Sequence, residues 1–317
     1  MFSPASSPLS LFLLLFVTGA GLRLFGLLGK RHAERLGTFV FSITLPATIL
    51  VSLDQVTFSP TAWKLPLAAW LVTVPLASIA WLLARFLALE RPTQGGFALA
   101  VGSINSIYFA FPVMLATFGE EGLARAILFD LGQTTLTLTV LYPMALRHGP
   151  MTLRHGTGGA SSIQTLRRLV ASPPLWALTA IVSMKVSGLH LPDGLRSILT
   201  PVHWLTIPLA SLVLGLSISI HALRKTWPLT SLGVALRMGG GLLIGWAVAA
   251  LLGLTGLERA SVLLIAGMPS AVMAVIFATE AGLDEDLVAS IVALSICLGV
   301  ALLPWLPTLA RMLVGSA

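Results

Sequence analysis

Asn105-Ser-Ile-Tyr-Phe-Ala-Phe-Pro112 sits in the middle of an apolar run over residues 96–118. A bilayer core takes about 20 apolar residues per helix, so the run is long enough to cross. Its centre nevertheless holds Gly102, Ser103, Ser106, a proline and the chain's sole asparagine. In hydrocarbon every backbone polar group needs an internal partner. A proline removes one N–H, and its ring displaces the preceding turn. The stretch therefore predicts a helix broken inside a membrane. A second run, 258–281, carries the same kind of interruption at Gly267-Met-Pro269-Ser270.

The rest of the chain supports that setting. Of 317 residues, 56% are hydrophobic and only 10% are charged, with a mean hydropathy of +0.94. A soluble domain carries about 25% charged residues. The surplus apolar surface must face lipid or the inside of a helical bundle. Apolar spans fall at about 9–28, 36–56, 64–88, 96–118, 122–145, 172–190, 197–221, 229–254, 258–281 and 286–312. They leave no room for a sizeable soluble domain. A net charge of +7 would suggest nucleic acid in a soluble protein, but here the basic residues lie mostly between apolar spans, so no nucleic-acid partner is expected. The lone Cys297 excludes a disulfide framework and cysteine metal clusters. The first apolar run is too long for a signal peptide and has no positive charge before it, so it reads as the first span.

The longest polar stretch, 147–171, divides the chain into two five-span halves, 1–146 and 172–317. An odd number of spans per half makes the halves enter the membrane from opposite sides, as in inverted-repeat transporters. Matching segments recur at nearly one offset. Leu45-Pro46 in span 2 corresponds to Ile207-Pro208 in span 7, with the prolines 162 apart. Ala116-Thr-Phe-Gly119 in span 4 corresponds to Ala278-Thr-Glu-Ala-Gly282 in span 9, with the glycines 163 apart. Placing both termini outside puts eleven loop Lys and Arg residues in the cytosol against six outside, so N-out and C-out is expected, with 147–171 a cytosolic loop.

Candidate site residues follow from what is costly in a bilayer. The two interruptions nominate Asn105, Ser106, Pro112, Pro269 and Ser270 as substrate-binding, because broken helices leave exposed helix ends that suit a charged ligand. An asparagine amide is expensive unless hydrogen-bonded, and it can donate to a carboxylate. Asp130 in span 5 is an intramembrane carboxylate, a functional candidate by default. It could carry a proton, coordinate a cation or pair with Arg237 in span 8, which could instead attract an anion. Gln133 and Glu280 are further coupling or supporting candidates. Asp284, Glu285 and Asp286 suit a helix N-terminus electrostatically and read as structural. His203 and His221 read as isolated, and the GxxxG at Gly241–Gly245 reads as helix packing. No metal site is expected. No Walker motif, GxSxG or HExxH occurs, so no enzyme is expected.

Taken together, these motifs resemble the auxin efflux carrier family over essentially the whole chain. Asn105-Ser-Ile-Tyr-Phe-Ala-Phe-Pro112 looks like the family's span-4 crossover, and Gly267-Met-Pro269-Ser-Ala-Val-Met-Ala-Val-Ile-Phe-Ala-Thr-Glu280 like its span-9 crossover. The resemblance implies crossing, broken helices 4 and 9, a scaffold unit and a transport unit, elevator-type alternating access, and contact between Asn105 and a carboxylate. Plant exporters have a second proline where this chain has Ala274, and Pro-Asn where it has Pro173-Pro174. That asparagine helps hold auxin's carboxylate, so its absence argues against auxin itself.

The expected fold is thus an all-α polytopic membrane protein with ten transmembrane helices in two inverted five-helix repeats. The expected function is secondary transport of a small organic anion, such as malate, malonate or an auxin-like acid, across a bacterial plasma membrane. A sodium-coupled bile-acid-type symporter and a non-transporting membrane sensor are the alternatives. The expected partners are the carboxylate and the lipid bilayer, with a homodimer left open. No cofactor is expected, and coupling to a proton or to sodium is left open.

Overall fold

A computed structural model describes residues 8–57, 60–150, 170–218, 227–306 and 308. Most of the connecting loop, His221 and the C-terminal basic residue Arg311 lie outside the described residues. The described chain is all-helical, and among the described residues the sole strand-like feature is one isolated antiparallel bridge, Ile104 to Ser270. The helices are α1 (Pro8–Leu24), α2 (Lys30–Phe39), α3 (Leu45–Gln55), α4 (Lys64–Phe86), α5 (Arg91–Gly102), α6 (Phe111–Leu136) and α7 (Tyr142–His148) in the first half. The second half contains α8 (Pro173–Val186), α9 (Asp193–Leu216), α10 (Trp227–Val234), α11 (Gly241–Leu251), α12 (Gly256–Ala266), α13 (Met273–Ala281) and α14 (Glu285–Leu302).

Five continuous helical stretches among the described residues are long and apolar enough to cross a membrane: Arg31–Gln55, Lys64–Phe86, Asp193–Leu216, Trp227–Leu251 and Glu285–Leu302. Together they make the protein a multi-pass membrane protein. The two interrupted spans do not appear among these five because each is split into short pieces. At 1.5 Å per residue, the 12 residues of α5 reach about 18 Å, short of the bilayer core.

Prolines shape these helices in a regular way. Three π-helical turns, Val40–Thr44, Ser106–Ala110 and Thr137–Leu141, each end two residues before a proline: Pro46, Pro112 and Pro143. A proline ring clashes with the carbonyl four residues back and cannot donate to it. In each case that carbonyl belongs to the π turn, whose wider winding takes up the conflict. The helix therefore continues through Pro112 rather than breaking there. Pro75 in α4 and Pro201 and Pro208 in α9 are likewise carried within helices.

The chain forms two compact units, each drawing on both halves of the sequence. One comprises Met1–Pro60, Ile107–Ile127 and Leu169–Ile218. Its α1 and α9 approach backbone to backbone: a Cβ on Gly215 would stand 2.2 Å from the Phe16 carbonyl oxygen, and one on Gly19 would stand 2.5 Å from that of Leu212. Small residues permit such contacts between membrane helices. Within α6 the chain bends at Gly119, whose φ of 64° and ψ of −156° suit only glycine.

The other unit comprises Thr61–Ser106, Leu128–Arg168 and Ser219–Ala317. Along α4 the buried residues Ala69, Val72, Leu76, Ala80 and Ala84 form an inward stripe, while Leu67, Trp70, Val74 and Leu82 face out. The GxxxG glycines do pack helices. A Cβ on Gly241 would lie 2.1 Å from the Ala266 carbonyl oxygen, and one on Gly245 would lie 2.6 Å from the Ala266 side chain. Asp284 caps α14, as expected of the acidic turn: its Oδ1 accepts from the Leu287 N–H at 3.0 Å, and its Oδ2 accepts from the Thr93 hydroxyl at 3.1 Å.

Candidate functional site

Both interrupted spans break in the second unit, and their breaks meet. After α5 the chain is extended at Ser103 (φ −89°, ψ 125°), and the non-helical stretch ends at Asn105. After α12 a non-helical stretch begins at Gly267. The two stretches run antiparallel. The Ala271 N–H donates to the Ser103 carbonyl (3.1 Å), and the Asn105 N–H donates to the Pro269 carbonyl (2.9 Å). The first break thus lies at Ser103–Asn105, upstream of where Pro112 alone would put it.

A helix end exposes up to four unpartnered carbonyls, and all four at the end of α5 find partners here. The Leu99 oxygen accepts from the Ser103 N–H, and the Ala100 oxygen accepts from the Ser270 hydroxyl at 2.6 Å. The Val101 oxygen accepts from Arg237 Nη1 at 2.9 Å, and the Gly102 oxygen from Gln133 Nε2 at 3.4 Å. At the end of α12, the Ile265 oxygen accepts from the Met268 N–H, and the Ala266 oxygen from Arg237 Nη2 at 2.5 Å.

Arg237 is fully buried and carried by the π-helical turn Ala235–Gly240. Its single guanidinium caps both broken helices at once. Two helix C-termini carry about half a negative charge each, which one guanidinium offsets. Gly241 makes the room, since a Cβ there would come within 2.5 Å of Nη2. The pairing of Asp130 with Arg237 considered from the sequence is not formed: both Nη atoms of Arg237 go to backbone carbonyls, because two opposed helix ends offer it concentrated negative potential. That geometry assigns Arg237 to helix capping.

Gln133, also buried, is held by the Thr73 hydroxyl, which donates to its Oε1 at 2.5 Å. Ser270 is fixed at both ends: its hydroxyl donates to Ala100, and its N–H donates to the Ser295 hydroxyl at 3.0 Å. Asn105, only 2% exposed, donates from Nδ2 to the Ser270 carbonyl at 3.4 Å. That long bond leaves its second amide hydrogen and its Oδ1 without a partner among the described residues. The buried hydroxyls of Ser103 and Ser106 likewise lack a bond of good geometry. Asp130 is half-buried, with the Thr134 hydroxyl donating to its Oδ2 at 3.2 Å and Ser106 alongside.

Pro112 and Glu280 make none of the contacts described above. Pro112 belongs to the first unit, in the opening turn of α6. Glu280 is exposed near the end of α13, where it accepts from the Tyr142 hydroxyl at 2.8 Å. Ser103, with its buried hydroxyl, and Ser295, which accepts from the Ser270 N–H, do not stand out in the sequence. Their signal, a serine inside an apolar span, is too common.

Paired helix breaks that cross inside an apolar helical bundle are the arrangement in which many membrane transporters hold their substrates. Comparison with known proteins agrees. Residues 7–306 match the family model described as membrane transport protein, and the chain belongs to this family, that of the auxin efflux carriers. It is 32% identical over 295 residues to an uncharacterized transporter of Methanothermobacter thermautotrophicus, covering 92% of this chain and 94% of the relative. It is also 30% identical over 287 residues to an uncharacterized transporter of Methanocaldococcus jannaschii, covering 88% and 90%.

Proposed function

We propose that this protein is a secondary transporter of a small organic anion, a carboxylate such as malate, malonate or an auxin-like acid, bound at the crossing of the two helix breaks. One observation carries the reading: Asn105 stands at the crossing with half of its amide unused, flanked in sequence by buried Ser103 and Ser106, whose hydroxyls make no bond of good geometry. Buried donors without partners cost about 1–3 kcal/mol each, which a ligand that accepts from them recovers. A carboxylate accepts from an amide N–H and from hydroxyls, and it suits the partial positive charge at the start of the following helical segments. Ser270 and Arg237 hold the crossing in shape, and Pro269 supplies the carbonyl that orients Asn105.

In this reading ten spans form two inverted five-helix repeats in the plasma membrane, with both termini outside, and transport proceeds by elevator-type alternating access. The presence of two compact units, each built from both halves of the chain, supports that architecture. Asp130, beside Ser106, is the candidate group for a coupling proton or cation. The test is a thermal-shift screen of the purified protein against small carboxylic acids and matched amides. Stabilisation by a carboxylate but not by its amide is the expected result. Stabilisation by neutral or cationic compounds alone would refute the substrate class.

A further inference from the structure

The first unit holds a polar cluster at the Gly119 bend of α6. His203, on α9 and 3% exposed, is not isolated. Its Nδ1 lies 3.2 Å from the Thr48 hydroxyl, and its Nε2 lies 3.3 Å from Glu120 Oε1. Thr48 in turn lies 2.7 Å from the Thr206 hydroxyl and donates to the Thr44 carbonyl at 3.0 Å. Ser52, fully buried, faces the Glu120 carboxyl. Glu120 follows Gly119, so the bend of α6 aims it at α9.

One arrangement of hydrogens satisfies these contacts with the Thr48 hydroxyl donating to the Thr44 carbonyl, which only accepts. Thr206 must then donate to Thr48, and the remaining Thr48 lone pair takes a hydrogen from His203 Nδ1. The neutral ring has no second hydrogen, so Nε2 would face Glu120 with a bare lone pair. Against a carboxylate that contact is repulsive, the more so because the ring itself is buried. It becomes attractive when one more proton sits between Nε2 and Oε1, as imidazolium with carboxylate or as imidazole with carboxylic acid.

We propose that Glu120 and His203 form a proton-binding site that pins the Gly119 bend of α6 to α9. The bound species is one proton, shared across the contact; its loss sets two acceptors against each other and releases the bend. Other ionisable groups on the packed elements are engaged elsewhere. Asp54 of α3 is held by Arg196, His190 and the Leu191 N–H. Glu121 pairs with Arg125 on α6, and Lys185 of α8 donates to the Val56 carbonyl. The ionisable residues of α2 lie within 30–35, on the helix whose Gly37 meets Val213 near the other end of α9, and α1 has none before Arg23. The proposal does not depend on which substrate the crossing binds.

The test is nitrogen NMR of the intact protein labelled with [15N]histidine in lipid nanodiscs at neutral pH. The His203 resonances are those lost in His203→Gln, or those displaced in Thr48→Val should the first variant fail to fold. The expected spectrum has a protonated Nδ1 and an Nε2 in the protonated or proton-sharing range. Glu120→Gln, whose amide can donate to the ring, should move Nε2 to the range of a bare acceptor nitrogen. A bare Nδ1 in the wild-type protein would mean that Thr48 donates to the ring and that no extra proton is held, which overturns the site. An Nε2 signal unmoved by Glu120→Gln would overturn it equally.

Discussion

The two helix breaks that cross in the second unit are built on opposite principles. The break after α12 is closed. Ser270 is tied through its hydroxyl to Ala100 and through its N–H to Ser295, while the Pro269 and Ser270 carbonyls both accept from Asn105. The break after α5 is open. Three of its carbonyls are capped by side chains brought from elsewhere, yet Ser103 and Ser106 make no hydroxyl bond of good geometry and Asn105 keeps half its amide. One break anchors and the other offers. Two crossing interruptions therefore need not be built alike, and what separates them is which polar groups remain unspent.

Substitutions can break the comparison, beginning with the group that serves both sides. Arg237→Met leaves the Val101 and Ala266 carbonyls buried without donors. Hydrogen bonds from a charged donor contribute about 1.5–3 kcal/mol each, so the variant should lose about 3 kcal/mol or more, seen as a collapse of the thermal midpoint in detergent or as failure to accumulate. A midpoint near that of the wild type would show that the breaks do not need a shared cap. Gln133→Leu removes a single cap, at Gly102, and strands the Thr73 hydroxyl. Its expected cost is about 1–2 kcal/mol, with transport reduced but present in reconstituted vesicles. Ser270→Ala cuts the tie from the closed break to Ala100. Single hydrogen bonds within membrane proteins average about 0.6 kcal/mol, so unfolding in denaturant should shift only slightly. A loss as large as that of Arg237→Met would make Ser270, not Arg237, the keystone.

The broken helices were legible because glycine, proline and asparagine are conspicuous in an apolar run. Their exact placement was not. The expected break spanned Asn105–Pro112, and only its Asn105 end is non-helical, because the steric demand of Pro112 is met by the π turn Ser106–Ala110, as at Pro46 and Pro143. Nothing in local sequence distinguishes a proline that breaks a helix from one that widens it. Asn105 stood out as the chain's only asparagine. The role of Arg237 did not, because capping two helix ends depends on their convergence in space. The Glu120–His203 contact was hidden for the same reason, its partners lying 83 residues apart. Glu280, a coupling or supporting candidate, lies near the end of α13, where it accepts from Tyr142.

The central claim is that the open break binds the substrate through Asn105. Its most direct test is the flux of a radiolabelled carboxylate, chosen from the thermal-shift screen, into proteoliposomes holding wild-type protein or Asn105→Ala. Removing one long hydrogen bond should leave the thermal midpoint of the variant nearly unchanged. The account predicts that flux falls to the level of empty vesicles while the variant stays folded and reconstitutes normally. Flux equal to that of the wild type would contradict it.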